Sequence, residues 1–132
     1  MGSLACVRSP DELTIALVHI HEVLVPGGSL SFEYYASSVY RPLADQGTFT
    51  VPTPHHGGTT TFTVTLDDRD LLTMGTRVDE QGRPPVEFSE QVLLIGREQV
   101  ENCLDAAGFT LGSFDPSEGL QPYDWYTTHR TT

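Results

Sequence analysis

The chain has 132 residues, 38% of them hydrophobic, with 12 glycines and 9 prolines, which fits a single loop-rich domain with a modest core of its own. Eighteen acidic residues against seven basic ones give a formal charge of -11, and this argues against nucleic acid or an anionic membrane as partner, because both need a basic footprint. All seven basic residues are arginine, which excludes any chemistry built on a Schiff-base or P-loop lysine.

Taken from the N-terminus, Leu4-Ala5-Cys6-Val7 is a short apolar run that predicts a buried strand. Ser9-Pro10-Asp11-Glu12 reads as a capping box, with Ser9 as N-cap, Pro10 at the first helical position and Glu12 reaching back. The helix that follows places Leu13, Ala16, Leu17, Ile20 and Leu24 on one face. His19 and His21 lie off that stripe and are two apart, so they do not form a metal-binding pair. Pro26-Gly27-Gly28 ends the helix, and Ser29 to Tyr35 alternates as a strand. Ala36 to Gly47 is expected to be a helical turn or a loop passing over the sheet edge.

The period then changes to two. Thr48–Val51, Thr59–Leu66, Leu71–Val78 and Pro85–Leu94 alternate and are separated by turn-forming clusters, the pattern of an antiparallel meander. Phe62, Val64 and Leu66 would share one face with Leu72, Met74 and Val78, joined by Val86 and Phe88. Arg97 to Phe109 returns to helical spacing, with Val100, Cys103, Leu104 and Ala107 inward and Gly108 as the C′ residue. "TLGSF" and "DWYTTHR" close the chain as two short strands. Cys103 is expected to be a buried thiol, and the two cysteines match no zinc spacing. No run approaches the roughly 18 apolar residues of a membrane span, and no charged segment precedes an apolar one at the start. The expectation is a cytoplasmic protein.

This order of elements resembles the C-terminal half of a class I S-adenosylmethionine-dependent methyltransferase of the small-molecule branch. "ALVHIHEVLVPGGSLSFE" is similar to the family's helix, PGG turn and fifth strand. The long insert, "REQVENCLDAAGF" and "PYDWYTTHR" are similar to the elements that follow there. The likeness runs from about Leu4 to Arg130. It implies an α/β fold with α+β character: a truncated Rossmann-like half of strand-helix-strand (4–35), meander (48–94), then helix and terminal hairpin (97–130), as one half-domain over 1–132. The family's Gly-rich turn and ribose-binding carboxylate belong to its first half. This chain has no G-x-G near its start. Of the cofactor-contacting positions, only Cys6 and Arg8, at the end of the expected first strand, carry over by resemblance. S-adenosylmethionine would thus need a homodimer or a partner chain, which would also cover the open edge of the sheet.

Candidate chemistry gathers at three places. His55 and His56, between prolines and a Gly-Gly pair, suit a general base on a loop, and equally an exposed hairpin tip. Glu33 sits near the end of the strand after PGG, where ligands of open α/β sheets bind. There it would act as base or hydrogen-bond acceptor, with Tyr34, Tyr35 and Tyr40 as pocket walls or as packing residues. Trp125 is a further candidate for substrate contact. No serine lies in a G-x-S-x-G elbow. Three functions stay open: a methyltransferase half acting on a small molecule, natural products included; a cofactor-free binder or cyclase/isomerase derived from one; and a non-catalytic regulatory subunit.

Overall fold

Ser9 starts the first helix. Its backbone is extended and its hydroxyl accepts the Glu12 amide at 3.2 Å, while Pro10 opens α1 (Pro10–Val23). Glu12 reaches one residue further back than a capping box requires, accepting the Arg8 amide at 2.8 Å. Leu13 and Leu17 are the buried positions of α1. At the other end the Arg130 guanidinium donates to the carbonyls of Leu24 and of His21, which also accepts the Leu24 amide. The computed structural model describes residues 3–53, 57–118 and 121–131.

The apolar run before α1 is not a strand. Ser3–Cys6 form a 3-10 turn, with Ala5 buried and Cys6 exposed. A strand needs a ladder partner for its main-chain groups, and none of the described strands pairs with this run. The expected strand-helix-strand opening is therefore a turn, a helix and a strand.

Among the described residues seven strands form two sheets. β1 (Ser29–Tyr35), β6 (Phe109–Asp115) and β7 (Tyr123–Arg130) make a three-stranded sheet in the order β1-β7-β6. β2 (Thr48–Thr53), β3 (Gly58–Leu66), β4 (Leu71–Glu80) and β5 (Val86–Leu93) make a four-stranded meander in chain order. All ladders among the described residues are antiparallel, so the parallel pairing of a Rossmann-like sheet is absent from them. Two helices complete the fold: α2 (Ser37–Gln46), which packs near β3, and α3 (Arg97–Ala107), which packs on α1. The segment after Tyr35 is thus ten residues of helix, continuous through Pro42.

The meander has the expected faces. Register pairs Phe62 with Thr76, Val64 with Met74, and Leu66 with Leu72, and β5 continues the rows with Phe88 and Val92. Thr59, Thr61, Thr63 and Thr65 fill the opposite face of β3.

Among the described strands, β7 alone pairs with β1. The Arg130 amide donates to the Gly28 carbonyl, and the Ala36 amide to Pro122, at 2.8 and 2.9 Å. Alternation from these bonds turns the main-chain groups of Leu30, Phe32 and Tyr34 toward β7, and those of Ser29 and Ser31 outward. No strand of the described residues lies on that outward edge.

The core lies between the three-stranded sheet and the α1–α3 pair. Phe32 stacks on Tyr126 with centroids 5.1 Å apart, and Val100, Cys103, Leu104 and Ala107 face them from α3. The Cys103 thiol is buried and donates to the Pro10 carbonyl at 3.5 Å. Gly108 ends α3 with φ 90, and a Cβ there would meet His21 Nε2 at 2.8 Å. Glycine at this point serves both the left-handed turn and the close approach of α1. Val92 to Ile95, all buried, carry the chain from the meander through this core into α3.

Tyr34 joins the two sheets. Its side chain is 1% exposed and its hydroxyl donates to the Leu93 carbonyl at 2.7 Å. Tyr34→Phe would leave that carbonyl without its partner, and we expect a loss of about 1–2 kcal/mol in urea unfolding. A change within error would show that the bond contributes nothing net.

Candidate functional site

The carboxyl end of β1 gathers four of the residues singled out above, Glu33, Tyr35, Tyr40 and Trp125. Register sets Glu33, Trp125 and Asp115 side by side across β1, β7 and β6, on the sheet face opposite Phe32 and Tyr126. Together with Pro116, Gln121, Pro122 and Tyr123 they line a recess of about 280 Å³. The loop above is held by the Ser117 amide, which donates to Asp124 Oδ1 at 2.8 Å. Trp125 is 41% exposed, so its indole serves as a wall and is not packed away. Among the described lining residues there are two carboxylates and no basic group.

An aromatic trio borders the recess. Tyr35 pairs with Tyr123 across the β1–β7 ladder, with ring centroids 5.1 Å apart, and Tyr40 reaches Tyr35 from α2 at 5.2 Å. α2 is placed for this by its first turn, in which the amides of Val39 and Tyr40 both donate to the Ala36 carbonyl. Burial, then the nearby Glu90 and Tyr123, push the Tyr35 phenol well above its ordinary value. Tyr40 is pushed up to about 12, by burial first and then by Tyr123 and Glu90. These phenols are therefore neutral hydrogen-bonding groups at physiological pH and not bases.

Tyr34 does not reach this recess. Alternation turns it to the opposite face, into the core, where burial raises its phenol as well, with smaller contributions from Cys103, Tyr126 and Cys6. His55 and His56 lie outside the described residues. Asp115 and Tyr123 were not singled out from sequence. What brings them in is strand order, because Asp115 reaches Glu33 only through β7 between them.

A larger trough, of about 360 Å³, lies on the threonine face of the meander above Gly75. It is shallow, and its cation is engaged: Arg77 donates to Asp79 and Glu87 at 3.0 and 2.8 Å. No group of three or more His, Cys, Asp or Glu among the described residues is placed to hold a metal ion.

No protein-family model matches the chain, and no curated protein matches it in sequence. Solved structures do match its fold. An S-adenosylmethionine-dependent methyltransferase from Clostridium acetobutylicum superposes with a TM-score of 0.80 at 13% identity, over 100% of this chain and 56% of that one. The CcbJ methyltransferase from Streptomyces caelestis gives 0.80 at 15% identity, over 98% and 58%. CalS10, an amino pentose methyltransferase from Micromonospora echinaspora, gives 0.69 at 18% identity, over 99% and 56%. The chain thus has part of the methyltransferase fold and spans a little over half the length of these structures.

Among the described residues no S-adenosylmethionine site is shown: Cys6 is exposed on the 3-10 turn, and the Arg8 amide is taken up by Glu12.

The raised phenols give a pH dependence with a definite sign. Tyr34, Tyr35, Tyr40 and Tyr126 all have folded values above the ordinary 10.0, burial being the largest cause for each. Above pH 10 the unfolded chain releases these protons while the folded chain keeps them, so their contribution is complete below pH 10 and lost as pH rises past it. Urea unfolding should show little phenol-linked change up to about pH 10 and falling stability above it. A flat profile to about pH 11.5 would refute the burial of these hydroxyls.

Proposed function

We propose that this chain is the acceptor-side half of a small-molecule methyltransferase, and that the nucleotide site comes from a partner chain or a second copy seated along the open edge of β1. The observation that carries the reading is the extent of the fold match. It takes in essentially all of this chain and little over half of each methyltransferase. The outer edge of β1, along which no strand of the described residues lies, supports the same reading, since the outward main-chain groups of Ser29 and Ser31 suit the addition of a strand. The role of this chain is then to bind and orient the acceptor at the carboxyl rim of β1, with Glu33, Trp125 and the tyrosine trio around it. A natural-product acceptor accords with neighbours such as CalS10, whose substrate is an amino pentose.

A cofactor-free binder or cyclase is the second reading. It is favoured by one observation: the recess is lined by this chain's own residues.

Calorimetric titration of S-adenosylmethionine separates the two. The chain alone should give no binding heat, and an equimolar mixture with a separately expressed Gly-rich N-terminal half of a matching methyltransferase should give a saturable one. Ser31→Pro, which blocks strand addition at the β1 edge, should abolish the heat in the mixture. Binding by the chain alone would sink the dependence on a partner. No heat in the mixture would move the assignment to the cofactor-free reading.

A further inference from the structure

β5 ends the meander as a strand exposed on both faces. Residues 86–91 are all exposed, and only Val92 and Leu93 are buried. Val86 and Phe88 keep 57% and 60% of their surface in water although they lie on the apolar face of the meander. The Leu94 amide donates to the Asp70 carbonyl at 2.7 Å, directly opposite in the continued β4–β5 register. Alternation from that bond turns the main-chain groups of Val86, Phe88 and Glu90 toward β4, and those of Glu87, Ser89, Gln91 and Leu93 outward. The Leu93 carbonyl takes the Tyr34 hydroxyl, which closes the open stretch at that end. No strand of the described residues lies along 87–91. β2, at the other edge of the meander, is protected. The Val64 amide donates to the Gly47 carbonyl, so alternation turns Pro52 outward, where it has no N–H to offer.

We propose that the β5 edge is a self-association surface, at which β5 pairs antiparallel with β5 of a second copy about a two-fold axis at Ser89. Ser89 is the centre of the open stretch. It would exchange main-chain bonds with Ser89 of the second copy, and Glu87 with Gln91 of the second copy. Those side chains are complementary. Gln91 Nε2 gives one hydrogen to Thr73 at 3.2 Å and keeps another for the Glu87 carboxylate, whose charge Arg77 offsets at 2.8 Å. On the apolar face Phe88 lies diagonal to Phe88 of the second copy, which takes both rings out of water. The adjacent registers fail. One opposes Glu90 to Glu90, and the other opposes Gln91 to Pro85, which lacks an N–H. The edge is thus self-complementary in one register. The contact is independent of the proposed function, which uses the edge of β1.

Sedimentation equilibrium of the chain tests it. The mass should rise with concentration from 14.5 kDa toward twice that value. Added salt should tighten the dimer, because each copy carries a formal charge of -11. Ser89→Pro removes an outward N–H and leaves the β4 ladder whole. It should weaken the dimer about tenfold or more while circular dichroism stays native. Gln91→Glu sets two carboxylates against each other and should weaken the dimer about threefold or more, and adding Glu87→Gln should restore it. Should Ser89→Pro fail to fold, that pair of variants carries the test. Ser31→Pro, at the β1 edge, should leave the dimer intact. A chain that stays monomeric at every concentration and salt overturns the proposal, and so does a dimer that resists both Ser89→Pro and Gln91→Glu. A dimer lost only with Ser31→Pro also overturns it and seats the second copy at β1. Dimerisation through β5 without cofactor binding in the reconstituted mixture upholds this contact and removes only the methyltransferase reading.

Discussion

The bond from the Tyr34 hydroxyl to the Leu93 carbonyl is the constraint on which the rest of the arrangement depends. It links the first strand of the three-stranded sheet to the last strand of the meander at a point where neither is open to water. A buried carbonyl has to find a donor, and a buried phenol an acceptor, so the two elements satisfy each other at one distance and one angle. Once Tyr34 is committed to the core, strand alternation decides its neighbours. Glu33 and Tyr35 must face the other way, and register across β7 brings Trp125 and Asp115 beside Glu33. The recess and the core are thus two sides of the same strand, set by one choice of face.

Much of the fold was legible in the sequence because local rules and tertiary structure agree. Ser9-Pro10 caps α1 as its chemistry requires, Gly108 ends α3, and the period-two runs from Thr48 to Leu94 form the meander with the expected shared face. One reading failed and another was met only in part, where local and tertiary signals part. Leu4 to Val7 is apolar enough for a strand, but apolarity speaks of burial and not of a ladder partner. α2 was obscured by Pro42, which removes a helical donor in mid-segment, yet Leu43 and Ala44 pack against the core and the helix continues.

The site was legible only in part, for a related reason. Glu33, Tyr35, Tyr40 and Trp125 announce themselves by residue type and by position near strand ends. Asp115 looks like any loop carboxylate until β7 is placed between β6 and β1. The faces of single strands follow from alternation, whereas the order of strands in a sheet is set by contacts far apart in sequence. Tyr34 failed by one position, since a strand that buries Phe32 buries Tyr34 also and leaves Tyr35 to α2 and Tyr123.

The β1–β7 ladder has a consequence for how the chain is made. Ser29 pairs with His129 and Tyr35 with Tyr123, so β1 is synthesised well before its partner. The meander, by contrast, pairs neighbours in sequence and closes through short loops. On a ribosome the meander can form as it emerges, while β1 waits for this ladder until β7 leaves the exit tunnel. Late closure of this sheet makes β7 decisive for its folding. It also gives β1 a period in which a chaperone, or a strand from a partner already in place, can reach it before the native ladder does.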